Sequence, residues 1–89
     1  VPKAHRLKTW PEPFQAVIDG QKRFEFRKDD RGFALGDTLV LDEWDQKTER
    51  LTGRCATALV TYIVAGPRFG IPKGYVVMSL GEPVRSSSS

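Results

Sequence analysis

One cysteine, Cys55, and one histidine, His5, stand in a chain of 89 residues. A lone cysteine excludes an internal disulfide framework and any zinc site built on paired cysteines. The single histidine has no local metal partner, so the sequence implies neither a metal site nor a cofactor. No apolar run approaches the roughly 18–20 residues of a membrane helix. The N-terminal stretch also lacks the apolar core of a secretory signal. These absences suit a reducing compartment, and the expected location is cytoplasmic.

With 39% hydrophobic and 28% charged residues, the composition is that of a globular chain rather than a disordered one. The length suggests a single domain near the lower end of sizes that fold alone. That domain is expected over residues 1–80, with 81–89, which end in four serines, as a flexible tail.

The formal charge of +3 is unevenly spread: residues 1–34 balance at +3, 35–60 at −2 and 61–89 at +2. A surface polarised in this way suits a polyanion, since basic side chains displace the counterions condensed on phosphates.

Along the chain, Ala4–Lys8 reads as a short strand, and Thr9–Pro13 as a turn into a helix. Pro13 fits a first helical turn, where its missing N–H costs nothing. Phe14, Val17 and Ile18 form one apolar stripe, and Gly20 ends the helix in the left-handed region. Asp29–Gly32 and Gly36-Asp37 are turn signals. Thr38–Trp44 reads as a strand, with Leu39 and Leu41 on one side and Val40 and Trp44 on the other. After a polar connection, Asp45–Arg50, Leu51–Arg54 begins the return, and Cys55–Val64 reads as the longest strand, apolar on both faces and therefore expected at the centre. Ala65–Gly74 is a loop, and Tyr75–Leu80 the last strand. The expected fold is mainly β (α+β): a small, bent barrel of about five strands with one short helix, in the order β-α-β-β-β-β, with an open α+β sheet as the competing reading.

Between helix and barrel lies the stretch Gly20–Arg31. Phe24 and Phe26 alternate with Arg23, Glu25 and Arg27, a period of two that separates an aromatic face from a charged one. The aromatic face is expected in the core, as is Trp44. The charged face is either solvated surface or the floor of a polar cleft. As a surface pair, Glu25 and Arg27 would contribute only about 0–1 kcal/mol. In a cleft, the same groups can read the edge of a base.

The ordered set His5-Arg6-Leu7-Lys8, Pro13-Phe14, Ile18–Lys22, Glu25-Phe26-Arg27, Asp30-Arg31 and Gly36-Asp37 resembles the ASCH domain of the PUA-like superfamily. Its characteristic Gly-x-Lys-x-x-Glu-x-Arg core is matched by Gly20, Lys22, Glu25 and Arg27. More narrowly, the pattern through Glu43-Trp44 to Gly70 and Gly74–Val77 is similar to that of small bacterial and phage-borne proteins of undefined function.

The resemblance implies a PUA-like barrel with a cleft beside the first helix and a role in binding RNA or nucleotides, and a non-enzymatic binding module is the favoured reading. Lys22, Glu25 and Arg27 would floor the cleft, with Lys8 and Arg31 at its rim and Arg68 and Lys73 reaching in from the loop. Trp10 could stack on a base, or anchor against Phe14, and Arg23 adds a further cation beside Lys22. The partner would be RNA or a modified nucleotide or nucleoside, with the protein a monomer by default.

A small ASCH protein similar in the Gly-x-Lys stretch is an amidohydrolase acting on N4-acetylcytidine, which sets the alternative. Its lysine corresponds to Lys22. Glu25 stands where it has a threonine nucleophile, and the segment that carries its glutamate is here only the loop Ala65–Gly74. In such a hydrolase Lys22 would be the base, with Glu25 positioning a water. His5 could serve as a base near neutral pH, or be a hydrogen-bonded structural group.

Overall fold

The structure, a computed structural model, describes residues 1–87. Alternation over Ala4–Thr9 turns His5, Leu7 and Thr9 inward and leaves Arg6 and Lys8 outside, forming strand β1. Helix α1 follows at Pro11–Ile18, with Trp10 as its N-cap residue and a proline opening its first turn. Phe14 and Val17 are its buried residues. Gly20 adopts φ +78 just beyond the helix, the left-handed geometry that the sequence assigns to it.

The remaining strands are β2 (Phe24–Lys28), β3 (Thr38–Asp45), β4 (Arg50–Ala65), β5 (Tyr75–Leu80) and β6 (Val84–Ser87). All six form one sheet in the order β1-β3-β4-β5-β2, with β6 also paired to β4. Only β1 and β3 run parallel; the other pairs are antiparallel. As expected, β4 is central. Its first part pairs with β3 and β6, and from Val60 onward it pairs with β5. A register shift between Val60 and Tyr62 marks the change of partner, and such a bulge bends a strand. One long strand thus serves both halves of a bent barrel, and α1 packs its buried face into the core. Leu39, Leu41, Val60 and Met78 lie at the centre of that core, all fully buried.

Three expectations change. Residues 84–87, read from sequence as part of a tail, instead add strand β6 along Arg54–Thr57; Ser88 and Ser89 lie outside the described residues. Trp44 is only partly buried, because alternation along β3 puts it on the same side as Val40 and Asp42, opposite buried Leu39, Leu41 and Glu43; Lys8 lies over its ring at 5.4 Å. The largest change concerns β2. Phe24 and Phe26 are 47% and 48% exposed, whereas Glu25 between them is 3% exposed. The alternation is real, but its faces are inverted. The cause is the register with β5, which sets Glu25 opposite Met78 and Arg27 opposite Val76, both core residues. Directly opposed residues share a face, so Glu25 turns inward and the two phenylalanines turn out.

Candidate functional site

The barrel has two end strands, β1 and β2. Side chains from β2 and the turn after it link them. Arg27 donates Nη2 to the Lys8 carbonyl at 2.9 Å, and Arg31 donates Nη1 to the Arg6 carbonyl at 2.8 Å. Arginine suits this task because its planar fork keeps a second donor free for another partner. Arg27 uses that donor inside, giving Nε to Glu25 Oε2 at 2.9 Å.

The other Glu25 oxygen accepts from Lys22 Nζ at 2.5 Å, and Lys22 also donates to the Phe24 carbonyl at 2.8 Å. A carboxylate withdrawn from water is costly unless paired, and Glu25 has a cation on each oxygen. Its position follows from the chain. Gly20 ends α1, residues 21–23 carry the backbone back to the sheet, and Glu25 is the first inward residue of β2.

Above this ion triad lies an open cleft of about 270 Å³. Lys8, Thr9 and Trp10 line it from the end of β1 and the helix entrance, Pro13 from α1, and Lys22, Glu25, Phe26 and Arg27 from the other side. A neighbouring depression of about 370 Å³ shares Lys8 and Arg27 and adds Arg6 and Arg31. There, Asp42 holds Arg6 with two hydrogen bonds, of 2.7 and 3.0 Å. The two hollows form a cationic surface across the β1/β2 seam, with one buried acid at its centre.

The structure therefore brings together Lys8, Trp10, Lys22, Glu25 and Arg27, and places Arg31 in the adjoining depression. Trp10 is 56% exposed at the cleft, not a buried anchor against Phe14. Arg23 turns away to Glu82, 3.2 Å distant. Arg68 lies over Phe69, and neither Arg68 nor Lys73 lines the cleft. Thr9 and Pro13 line it without having been singled out from sequence. The period of two from His5 through Leu7 reaches Thr9 once the strand is carried one residue past Lys8.

Two further buried groups lie elsewhere. His5 meets Asp37 at 2.8 Å and packs edge-on against Phe33. Asp37 also accepts from the backbone N–H groups of Lys3 and Ala34. The Lys3 N–H, and then His5, hold its carboxyl down to about 2. His5 is thus tied into the fold. Glu43 is buried as well, and accepts from Thr52 at 2.6 Å, with Arg54 3.6 Å away. Among the described residues, no three His, Cys, Asp or Glu side chains group as metal ligands. No described helix is long and apolar enough to cross a membrane.

Residues 4–80 match the family described as a domain of unknown function, DUF3850. The chain belongs to the DUF3850 family. It is 46% identical over 59 residues to an uncharacterised 12.9 kDa protein in the GpA 3′ region of Escherichia phage P2. That match covers 66% of this chain and 52% of the phage protein, so the DUF3850 chain spans about half the length of its curated relative. Among solved structures, the chain is similar to ZmASCH from Zymomonas mobilis, crystallised as a serine-to-alanine mutant. The TM-score is 0.67 at 19% identity, over 93% of this chain and 73% of that one. At that identity the likeness shows the fold: a mainly β architecture with one short helix, as in an ASCH protein.

Proposed function

We propose that this DUF3850 protein is an ASCH-like module that binds RNA or a nucleotide in the cleft at the β1/β2 seam, acting in the cytoplasm. The observation that carries the reading is the ion triad. Lys22 and Arg27 flank a single inward carboxylate, and Lys8 stands on the opposite wall of an open cleft. The cations suit phosphate, and the two kinds of polar group suit the donors and acceptors on a base edge. Trp10 at the helix entrance offers a ring on which a base can stack. The likeness to an ASCH fold supports the same reading.

The alternative, hydrolysis of an N4-acylated cytidine, draws on the same lysine. Lys22 donates to both Glu25 and the Phe24 carbonyl, an arrangement that suits a held ammonium better than a free base. The binding reading is therefore preferred.

The test is a titration of the protein with single-stranded RNA, duplex RNA and free modified cytidines at two salt concentrations. Binding to polymer that weakens with salt, without turnover of nucleosides, is the expected result. Lys22→Ala and Arg27→Ala should each weaken it about tenfold, the scale of one lost charge-assisted contact. Unchanged affinity in both variants would remove the cleft from consideration. Turnover of acylated cytidine that disappears in Lys22→Ala would establish the hydrolase instead.

A further inference from the structure

The inversion of β2 has a counterpart on the outside of the barrel. Phe24 and Phe26 face outward, and so do the residues paired with them across β5 and β4. Phe24 lies opposite Ser79, which lies opposite Tyr62; Phe26 lies opposite Val77, which lies opposite Val64. Ile63, the residue between Tyr62 and Val64, packs against the core, which fixes both neighbours on the outer side. The Phe26 and Tyr75 rings stack at 5.4 Å. Tyr62 is 62% exposed, more than either phenylalanine. Four aromatic rings thus share one sheet face.

Cations surround that face. Lys22 Nζ sits 4.9 Å from the centre of the Phe24 ring. Arg23 precedes Phe24 and Lys28 closes β2, both exposed, while Arg68 and Lys73 are on the loop that leads into Tyr75. Of the acids near this rim, Glu82 is engaged by Arg23, Glu25 faces inward to Lys22 and Arg27, and Asp29 accepts from the Gly32 and Phe33 N–H groups. Exposed rings on a sheet, edged by lysine and arginine, suit unpaired bases joined by phosphates. The face is also continuous with the cleft, because Phe26 lines one and stacks within the other.

We propose that the outer face carrying Phe24, Phe26, Tyr62 and Tyr75 is a stacking platform for single-stranded nucleic acid whose neighbouring nucleotide occupies the cleft. This rests on the binding reading given above, and narrows its ligand to an unpaired strand of several nucleotides. Phe24 and Phe26 are two residues apart, about 7 Å along the strand. Bases splayed from a single strand can cover such rings. Bases in a duplex are already stacked on one another and cannot.

The experiment compares a mononucleotide, a single-stranded octanucleotide and a duplex of the same sequence, by titration against the wild type, Phe24→Ala, Tyr62→Ala and Lys22→Ala. Both ring deletions remove exposed side chains, and thermal melts would verify that each variant stays folded. The octanucleotide should bind the wild type at least tenfold more tightly than the duplex. Each ring deletion should weaken octanucleotide binding by about tenfold, and Tyr62→Ala, at a residue that does not line the cleft, should leave the mononucleotide unaffected. Phe24→Tyr should restore the affinity, whereas Phe24→Leu, apolar but not aromatic, should not. If Lys22→Ala weakens every ligand while the ring variants match wild type, the platform is refuted and the cleft reading survives. If the wild type binds none of the three, both readings fall. If sedimentation shows a wild-type dimer that Phe24→Ala converts to monomer, the face belongs to a second copy and the platform is overturned.

Discussion

Arg27 joins Lys8 and Glu25: its Nη2 reaches the Lys8 carbonyl on β1 at 2.9 Å, while its Nε holds the Glu25 carboxylate at the same distance. One side chain therefore spans the barrel seam and sets the floor of the cleft. Structure and proposed binding share this group, which has consequences for each substitution nearby.

Arg27→Lys keeps the charge but has no fork. An ammonium can serve the carbonyl or the carboxylate, with poorer geometry for both. The variant should lose about 1 kcal/mol, and hydrogen exchange should quicken in β1 and β2 ahead of β4. Uniform exchange across the sheet would show that the seam does not depend on this residue.

Glu25→Ala leaves Lys22 and Arg27 facing each other across the cleft floor. Both cations keep partial access to water, so the loss stays below that of a wholly buried pair. It should come to about 2 kcal/mol in urea unfolding. Glu25→Gln, which keeps an acceptor and the shape, should lose less. Either substitution removes a negative charge from the cleft and should steepen the salt dependence of any polyanion binding.

Asp37 sets an acid limit on stability. Its carboxyl titrates at 3.8 when unperturbed and at about 2 in the fold. The stabilisation is therefore complete above the higher value and is lost as pH falls towards the lower one. Asp37→Asn should melt at a lower temperature at neutral pH and show a flatter profile across that interval. A profile as steep as wild type would assign the acid sensitivity to other groups.

Gly66→Ala should be poorly tolerated. A Cβ there would run into the carbonyl oxygens of Pro72 and Ile71 across the loop before β5. Backbone atoms cannot move aside as a flexible side chain can, so the cost should reach about 3 kcal/mol. Gly32→Ala meets open space, with only its φ of +72 against it. It should lose about 1–2 kcal/mol, and thermal melts would separate the two.

Much of this architecture is legible in local chemistry. Gly20 closes α1, and Gly36-Asp37 makes the turn before β3. The apolar character of both faces of β4 marks it as central, and Lys22, Glu25 and Arg27 of the Gly-x-Lys-x-x-Glu-x-Arg core line one cleft. Less legible were the groups that depend on distant partners. Arg23 neighbours Lys22 in sequence yet pairs with Glu82, which the last strands bring alongside. The serine-rich end gives no strand signal, but the free edge of β4 offers hydrogen-bond partners to residues 84–87.

Strand β2 shows where the division falls. Its sequence determined that Phe24 and Phe26 share one face, and that Glu25 and Arg27 share the other, because side chains on any strand alternate. Which face points inward is a different matter, since a period of two is symmetric and carries no sign. The register with β5 decided it, setting Glu25 opposite Met78. Hydrophobicity alone would have chosen the phenylalanines. Pairing of Glu25 with Lys22 and Arg27 offsets the burial of a charge, and the aromatic rings are left outside.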